Sequence, residues 1–312
     1  MRVGLLILFL SACGAAPAPD DAAAELSDGG ERIDAPACGW SSVRDVGTVS
    51  DARLTEISGM VASRRDPGVL FVHNDSGEAV ARYFALSPEG LVRAEIVVDG
   101  APSFDIEDAA IEYRDGREWI YLGDVGDNAA RDGGSPRDHV EVVRSEIPAL
   151  PSASSTLRVA AFERFAFTYP DAPHDCEALI FDRRTGDLYL LSKVNEGPHA
   201  VYRAAAPHVD GSTRVLEHVT DLLPGRSLAD SITAADSDEL GRFVVRTYRR
   251  VWLYQASDGD ALARWSVTPV ELPPISEFQG ESIAFSDDGS SLYSMAEGAG
   301  ETIHALDDGC AR

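Results

Sequence analysis

From Leu54 onward the chain alternates short apolar runs with turns rich in Gly, Asp and Pro, and no stretch keeps the period of an amphipathic helix. Five segments share one order: an acidic or polar residue, an apolar strand, a turn ending in Gly, then a second apolar strand ending in polar groups. The first runs from Glu56 through Asp66-Pro67-Gly68 to His73-Asn74-Asp75, and the second from Glu107 through Asp115-Gly116 to Gly123-Asp124. The third runs from Glu177 through Thr185-Gly186 to Ser192-Lys193. The fourth has Thr233, Leu240-Gly241 and Arg246-Thr247-Tyr248, and the fifth Glu281, Asp288-Gly289 and Ala296-Glu297.

The copies begin 51, 70, 56 and 48 residues apart, which suits four-stranded blades of a β-propeller with an insertion near Ala129–Arg137. Further strands are expected at 81–86 and 91–98, 139–147 and 157–167, 201–203 and 214–220, and 251–255 and 263–270. The expected fold is therefore all-β, a propeller of five blades; six require a degenerate blade in the longest interval. The fifth copy lacks an outer strand, and the run Val43–Val49 is placed to supply it and close the ring. Cys38 precedes that run and Cys310 follows the last strand, so antiparallel pairing would set them side by side as a disulfide requires. Cys176, flanked by Asp175 and Glu177, reads as a half-buried thiol of raised pKa rather than a nucleophile.

The N-terminus divides differently. Residues 1–12 combine Arg2 with the apolar run Val3–Leu10, a secretory signal too short to span a bilayer. Leu10-Ser11-Ala12-Cys13 resembles the lipobox of bacterial lipoproteins, which implies cleavage before Cys13 and its acylation as a membrane anchor. Residues 13–37 then form an Ala-, Pro- and Asp-rich tether, and 38–312 the propeller domain. The implied location is the bacterial cell envelope, facing periplasm or exterior. Gly14, which is no aspartate retention signal, favours the outer membrane. The protein is expected to be a monomer.

A net charge of −25 sets the chain against phosphate backbones and excludes nucleic acid as an expected partner. Among its basic residues there is a single lysine, Lys193. In a blade the innermost strand starts, and the second strand ends, on one face of the ring, so Glu56, Glu107, Glu177, Thr233 and Glu281 should converge on a mouth. Asn74, Asp75, Asp124, Asp127, Asn128, Lys193, Arg246, Tyr248 and Glu297 should meet them there. Several glutamates at one opening repel unless something positive sits among them. Lys193 with Arg246 is one solution, paired to Glu177 and Glu281. A hard cation such as Ca²⁺ is the other. Its candidate ligands are Glu56, Asn74, Asp75, Glu107, Asp124, Asp127, Asn128, Glu177 and Glu281, carboxylate and amide oxygens of the type calcium takes. The alternative is a set of capped turns and internal salt bridges. No zinc-type spacing or Ser nucleophile elbow is present.

The motifs Glu56-Ile57-Ser58-Gly59-Met60, Asp105-Ile106-Glu107-Asp108-Ala109-Ala110 and Glu281-Ser282-Ile283-Ala284-Phe285 resemble those of secreted bacterial propellers of the phytase-like and TolB-like groups. The resemblance implies the fold. Those groups include calcium-dependent phosphoesterases, sugar lactonases and propellers that only bind partners. The chain departs from the phosphoesterases in having few basic residues to hold a polyphosphate, and Thr233 breaks the acidic ring. Two functions are therefore expected. One is an envelope propeller binding a small anionic ligand or an envelope protein. The other is a Ca²⁺-dependent phosphoesterase or lactonase, with Glu177 among its catalytic carboxylates and Lys193 and Arg246 stabilising the oxyanion.

Overall fold

The computed structural model describes residues 39–310 apart from 76–78, 224, 226 and 257–260. Cys13, the signal and the tether lie outside the described residues, as does Cys38. The rest is a ring of five blades. Each turn glycine of the repeat, Gly68, Gly116, Gly186, Gly241 and Gly289, holds a positive φ between 71° and 80°. That left-handed conformation is open to glycine at little cost, which is why the same residue recurs at the same place in every copy.

Blade 1 contains Ile57–Ala62, Leu70–Asn74, Arg82–Leu86 and Val92–Val98; blade 2 contains Ile106–Arg114, Arg117–Asp124, Val140–Glu146 and Phe162–Thr168. Blade 3 contains Cys176–Phe181, Leu188–Ser192, His199–Ala204 and Glu217–Leu222. Blade 4 contains Ile232–Ser237, Phe243–Thr247, Val251–Tyr254 and the short Val270–Glu271. Blade 5 contains Gly280–Phe285, Ser291–Ala296 and Thr302–Asp307, and its outer strand is Arg44–Thr48, antiparallel to Thr302–Asp307. The N-terminal strand therefore closes the ring as expected. Each innermost strand packs against the next and the fifth against the first, so the long second interval hides no sixth blade.

That interval instead interlocks two blades. The segment expected as one strand at 157–167 is two: Ser155–Val159 joins the edge of blade 1 in parallel, and Phe162–Thr168 stays in blade 2. Likewise Ser212–Val215 crosses to pair in parallel with blade 2, leaving Glu217–Leu222 to blade 3. Both additions cover otherwise open sheet edges. The strand expected at 263–270 is largely a 3-10 helix, Ala261–Ser266. Trp40 bridges Asp308, and the Gly309 N–H donates to the Gly39 carbonyl at 3.0 Å, at the end of the ring away from the second-strand ends. This brings the chain before the closing strand beside the chain that precedes Cys310. The expected Cys38–Cys310 bridge falls on a residue outside those described.

The apolar residues form five buried clusters, one between each pair of neighbouring blades. Two buried aspartates tie the blades together at the axis. Asp108 accepts N–H bonds from Ala109 at 2.8 Å, from Leu179 of blade 3 at 2.9 Å and from Ala235 of blade 4 at 3.1 Å. Asp236 accepts from Ser237 at 2.7 Å and from Phe285 of blade 5 at 2.9 Å.

Candidate functional site at the propeller mouth

Each innermost strand carries a β-bulge one residue after its start. The extra residue is Glu107, Glu177, Thr233 and Glu281 in blades 2 to 5, and falls at Ser58–Gly59 in blade 1. A bulge re-aims a side chain, here toward the axis. The register makes Ser58, not Glu56, the blade-1 counterpart of the glutamates. Glu56 is exposed and does not line the cavity. The two hydroxyl positions bond across to the next blade: Ser58 Oγ donates to the Glu107 carbonyl at 2.5 Å, and Thr233 Oγ1 to the Gly280 carbonyl at 2.6 Å. Thr233 breaks the acidic ring because it stitches blade 4 to blade 5.

In blades 1, 3, 4 and 5 the residue just after the second strand completes the mouth. In blades 1, 3 and 5 its N–H donates to the carbonyl two residues before the bulge: Asp75 to Glu56 at 2.9 Å, Lys193 to Asp175 at 2.8 Å and Glu297 to Gln279 at 2.8 Å. Asp75, Lys193, Tyr248 and Glu297 thereby join Ser58, Glu107, Glu177, Gln279, Glu281 and Asn128 around a cavity of about 130 Å³.

Charge is unevenly distributed there. Lys193 Nζ lies 2.8 Å from Glu177 and 5.1 Å from the centre of the Tyr248 ring. Burial opposes the Lys193 charge, but Glu177 and Glu281 outweigh it and hold the ammonium protonated. Asp175 accepts from the Asp127 N–H at 2.7 Å and pairs with Arg131 at 2.6 Å. Glu107, 3 % exposed, has no such partner: among the described residues none donates a hydrogen bond to its carboxylate. Burial first, then the repulsion of Glu177, Asp75 and Asp105, raises its pKa well above the usual range. Asp75 is pushed up to about 7 by burial and by Asp105 and Glu177, and its buried Oδ1 has no hydrogen-bond partner among the described residues. Glu281 is pushed to about 8, again mainly by burial.

Carboxylate oxygens of Asp75, Asp105 and Glu107 lie within 4.8 Å of one another, and so do those of Glu107, Asp175 and Glu177. The second group already has Lys193 and Arg131. The first is reached among the described residues by the charges of Arg137 on Asp105 and Lys193 on Glu107, and Gly126 leaves it room: a Cβ there would sit 2.4 Å from both Asp105 Oδ2 and Glu107 Oε1. Unpartnered buried oxygens, an all-oxygen donor set and a glycine cradle fit a hard divalent cation.

Several expected ligands do other work. Asp124 accepts from the Phe104 and Asp105 N–H groups at 3.0 and 3.2 Å and pairs with Arg137 at 2.8 Å. Asp127 caps the short helix Asn128–Asp132 and accepts from Arg137 N. Asn74 closes the 53–56 turn through Arg53, Thr55 and Glu56. Arg246 is fully buried between blades 4 and 5, pairs with Glu277 at 2.7 Å rather than Glu281, and lies over Gly280 outside the cavity. Cys176 is fully rather than half buried, with the Tyr169 hydroxyl 3.1 Å from Sγ and its pKa raised by burial. Asp105 was not among the expected ligands, although a signal exists. It stands two residues before a bulged glutamate, as Asp175 stands before Glu177.

Removing Lys193 should not be silent structurally. Lys193→Met leaves the buried Glu177 with only the more distant Arg131, 3.7 Å away, and is expected to cost about 3 kcal/mol, whereas Lys193→Met with Glu177→Gln recovers most of it. Urea unfolding of both variants checks this.

No protein-family model and no curated protein matches the chain. Solved structures similar to it include a gluconolactonase from Xanthomonas campestris, at 15% identity over 85% of this chain and 89% of that one, TM-score 0.47. A luciferin-regenerating enzyme matches at 11% identity over 85% and 94%, TM-score 0.42. The soluble aldose sugar dehydrogenase of Escherichia coli in its apo form matches at 10% identity over 86% and 99%, TM-score 0.48. Likeness at this level carries no inference about activity, ligand or metal.

Proposed function

We propose that the mouth holds one divalent cation, Ca²⁺ by its donor set, on Asp75, Asp105 and Glu107, and that the protein is a cation-dependent hydrolase of a small ester or lactone. The observation that carries this reading is Glu107, a buried carboxylate among like charges to which none of the described residues donates a hydrogen bond. Strongly perturbed acids in a cleft are where acid–base chemistry is found. When bound, the cation would supply Lewis-acid polarisation of a carbonyl oxygen. Glu281, titrating near pH 8, is suited to take a proton from attacking water and return it to the departing oxygen. Lys193, held by Glu177 and Tyr248, presents fixed positive charge to oxygen that becomes negative.

A second reading, a mouth that binds a small anionic ligand or an envelope protein without chemistry, is favoured by the saturation of Lys193 by Glu177. A screen of esters and lactones separates the two, since only the hydrolase turns any of them over.

Metal content and melting of the purified protein test the cation. We expect about one Ca²⁺ per chain and a lower Tm in EDTA. The metal-free protein should also lose stability as pH rises from 6 to 8.5. Asp75 and Glu281 titrate near 7 and 8 in the fold but near ordinary carboxylate values when unfolded, so the native state binds more protons in this window. The loss should be on the order of a few kcal/mol, roughly 5–10 °C in Tm, and Ca²⁺ should largely abolish it. Ion-paired surface acids such as Asp51, at about 2, titrate far below this range. No bound metal, and the same melting curve with and without EDTA, would sink the proposal.

A further inference from the structure

Two phenylalanines are exposed among the described residues, Phe104 at 68 % and Phe278 at 91 %. They occupy the same position in two blades: Phe104 precedes Asp105 and Phe278 precedes Gln279, each three residues before the bulged glutamate. Blades 2 and 5 both adjoin blade 1, so the two rings flank the blade that contributes Asp75. At least Phe104 is held in place. Its N–H donates to Asp124 at 3.0 Å, and its ring lies 4.8 Å from the Arg137 guanidinium, which is itself fixed by Asp124. A single exposed apolar side chain needs no explanation; two at equivalent places, each next in sequence to a residue of the mouth, do.

The cavity beneath is different in kind. Asp75, Glu107, Glu177, Glu281 and Glu297 line it, with Lys193 as the one basic side chain in its wall. A divalent cation would leave this wall negative or near neutral, an unfavourable setting for a phosphate dianion. We propose that the mouth takes an uncharged ester or lactone bearing an alkyl or aryl arm, with the reacting oxygens in the cavity and the arm against Phe104 and Phe278. This rests on the hydrolase reading and deepens it by naming the apolar arm that the substrate carries.

The test compares γ-butyrolactone with γ-decalactone, which carries a hexyl arm on the same ring, using the full protein in Ca²⁺. In wild type, kcat/KM should be at least tenfold higher for γ-decalactone, mostly through KM. The Phe104→Ala, Phe278→Ala double variant should lose about tenfold or more on γ-decalactone, with γ-butyrolactone turnover and calcium content unchanged. A kcat/KM independent of the arm in wild type, or an arm preference kept in the double variant, would overturn the proposal. Calorimetry with the non-hydrolysable γ-lactam bearing the same hexyl arm keeps the test decisive if no lactone is turned over. Binding weakened about tenfold in the double variant supports the apolar rim and removes only the hydrolase reading. No binding, or equal binding by both proteins, removes the rim proposal itself.

Discussion

Glu107→Gln is expected to weaken Ca²⁺ binding at least about 100-fold while leaving the metal-free protein as stable as wild type, or more so, at pH 8. The two halves of this result have one cause. Glu107 is buried between Asp75 and Asp105 on one side and Asp175 and Glu177 on the other, while Lys193 attracts it. Without a bound cation its charge is repelled by Glu177, Asp75 and Asp105, so replacing it with an isosteric amide relieves repulsion. With a cation the same charge is the centre of the donor set, and the amide supplies only one neutral oxygen. Calcium titration by calorimetry, with melting in EDTA, reads both. A Gln variant that melts well below wild type in EDTA would identify Glu107 as a structural residue, and retained calcium affinity would move the site elsewhere.

The same region shows what could be read from residue order and what could not. The five blades were legible because one backbone requirement repeats: a turn that needs positive φ, met by Gly68, Gly116, Gly186, Gly241 and Gly289. N-terminal closure was legible because a strand-like run stood unpaired at one end and a vacancy at the other. The bulges were not. Glu56 looked equivalent to Glu107 by residue type, but the innermost strands start at Ile57 and Ile106, so the bulge position of blade 1 falls two residues later, at Ser58. The loop Gly123–Asn128 misled for a different reason. Its oxygens resemble a calcium loop, but those of Asp124 and Asp127 are consumed by the N–H groups of Phe104, Asp105, Ala130 and Arg137. Composition does not distinguish an oxygen that caps a loop from one left free for a ligand. The spacing Asp105-x-Glu107 and Asp175-x-Glu177 does carry that information, since residues two apart at the start of an innermost strand meet at the same mouth. The exchanged segments Ser155–Val159 and Ser212–Val215 were invisible for a third reason: which neighbour a short strand joins depends on an open edge elsewhere in the ring.

Asp108→Ala is expected to destabilise the propeller by about 3–6 kcal/mol, roughly 10 °C or more in Tm, without removing any residue from the cavity. The magnitude follows from three amide N–H groups that end on this one carboxylate. Two of them, from Leu179 and Ala235, belong to the innermost strands of blades 3 and 4. Those strands cannot pair with blade 2 through the sheet, because their own ladders run within their own blades. Asp108 is fully buried, so alanine leaves the donors facing a space too enclosed to resolvate without rearrangement. Asn at the same position should recover part of the loss, since its one carbonyl oxygen can still accept the pair of bonds that reach Asp108 Oδ2. Denaturant unfolding of the two variants gives the ranking, and calcium binding measured below their midpoints tells whether the axial tie and the mouth are independent. If Asp108→Ala unfolds at the wild-type midpoint, the three bonds contribute nothing net to stability. If instead it loses calcium affinity in step with stability, the axis that joins blades 2, 3 and 4 also sets the position of Glu107 one residue away.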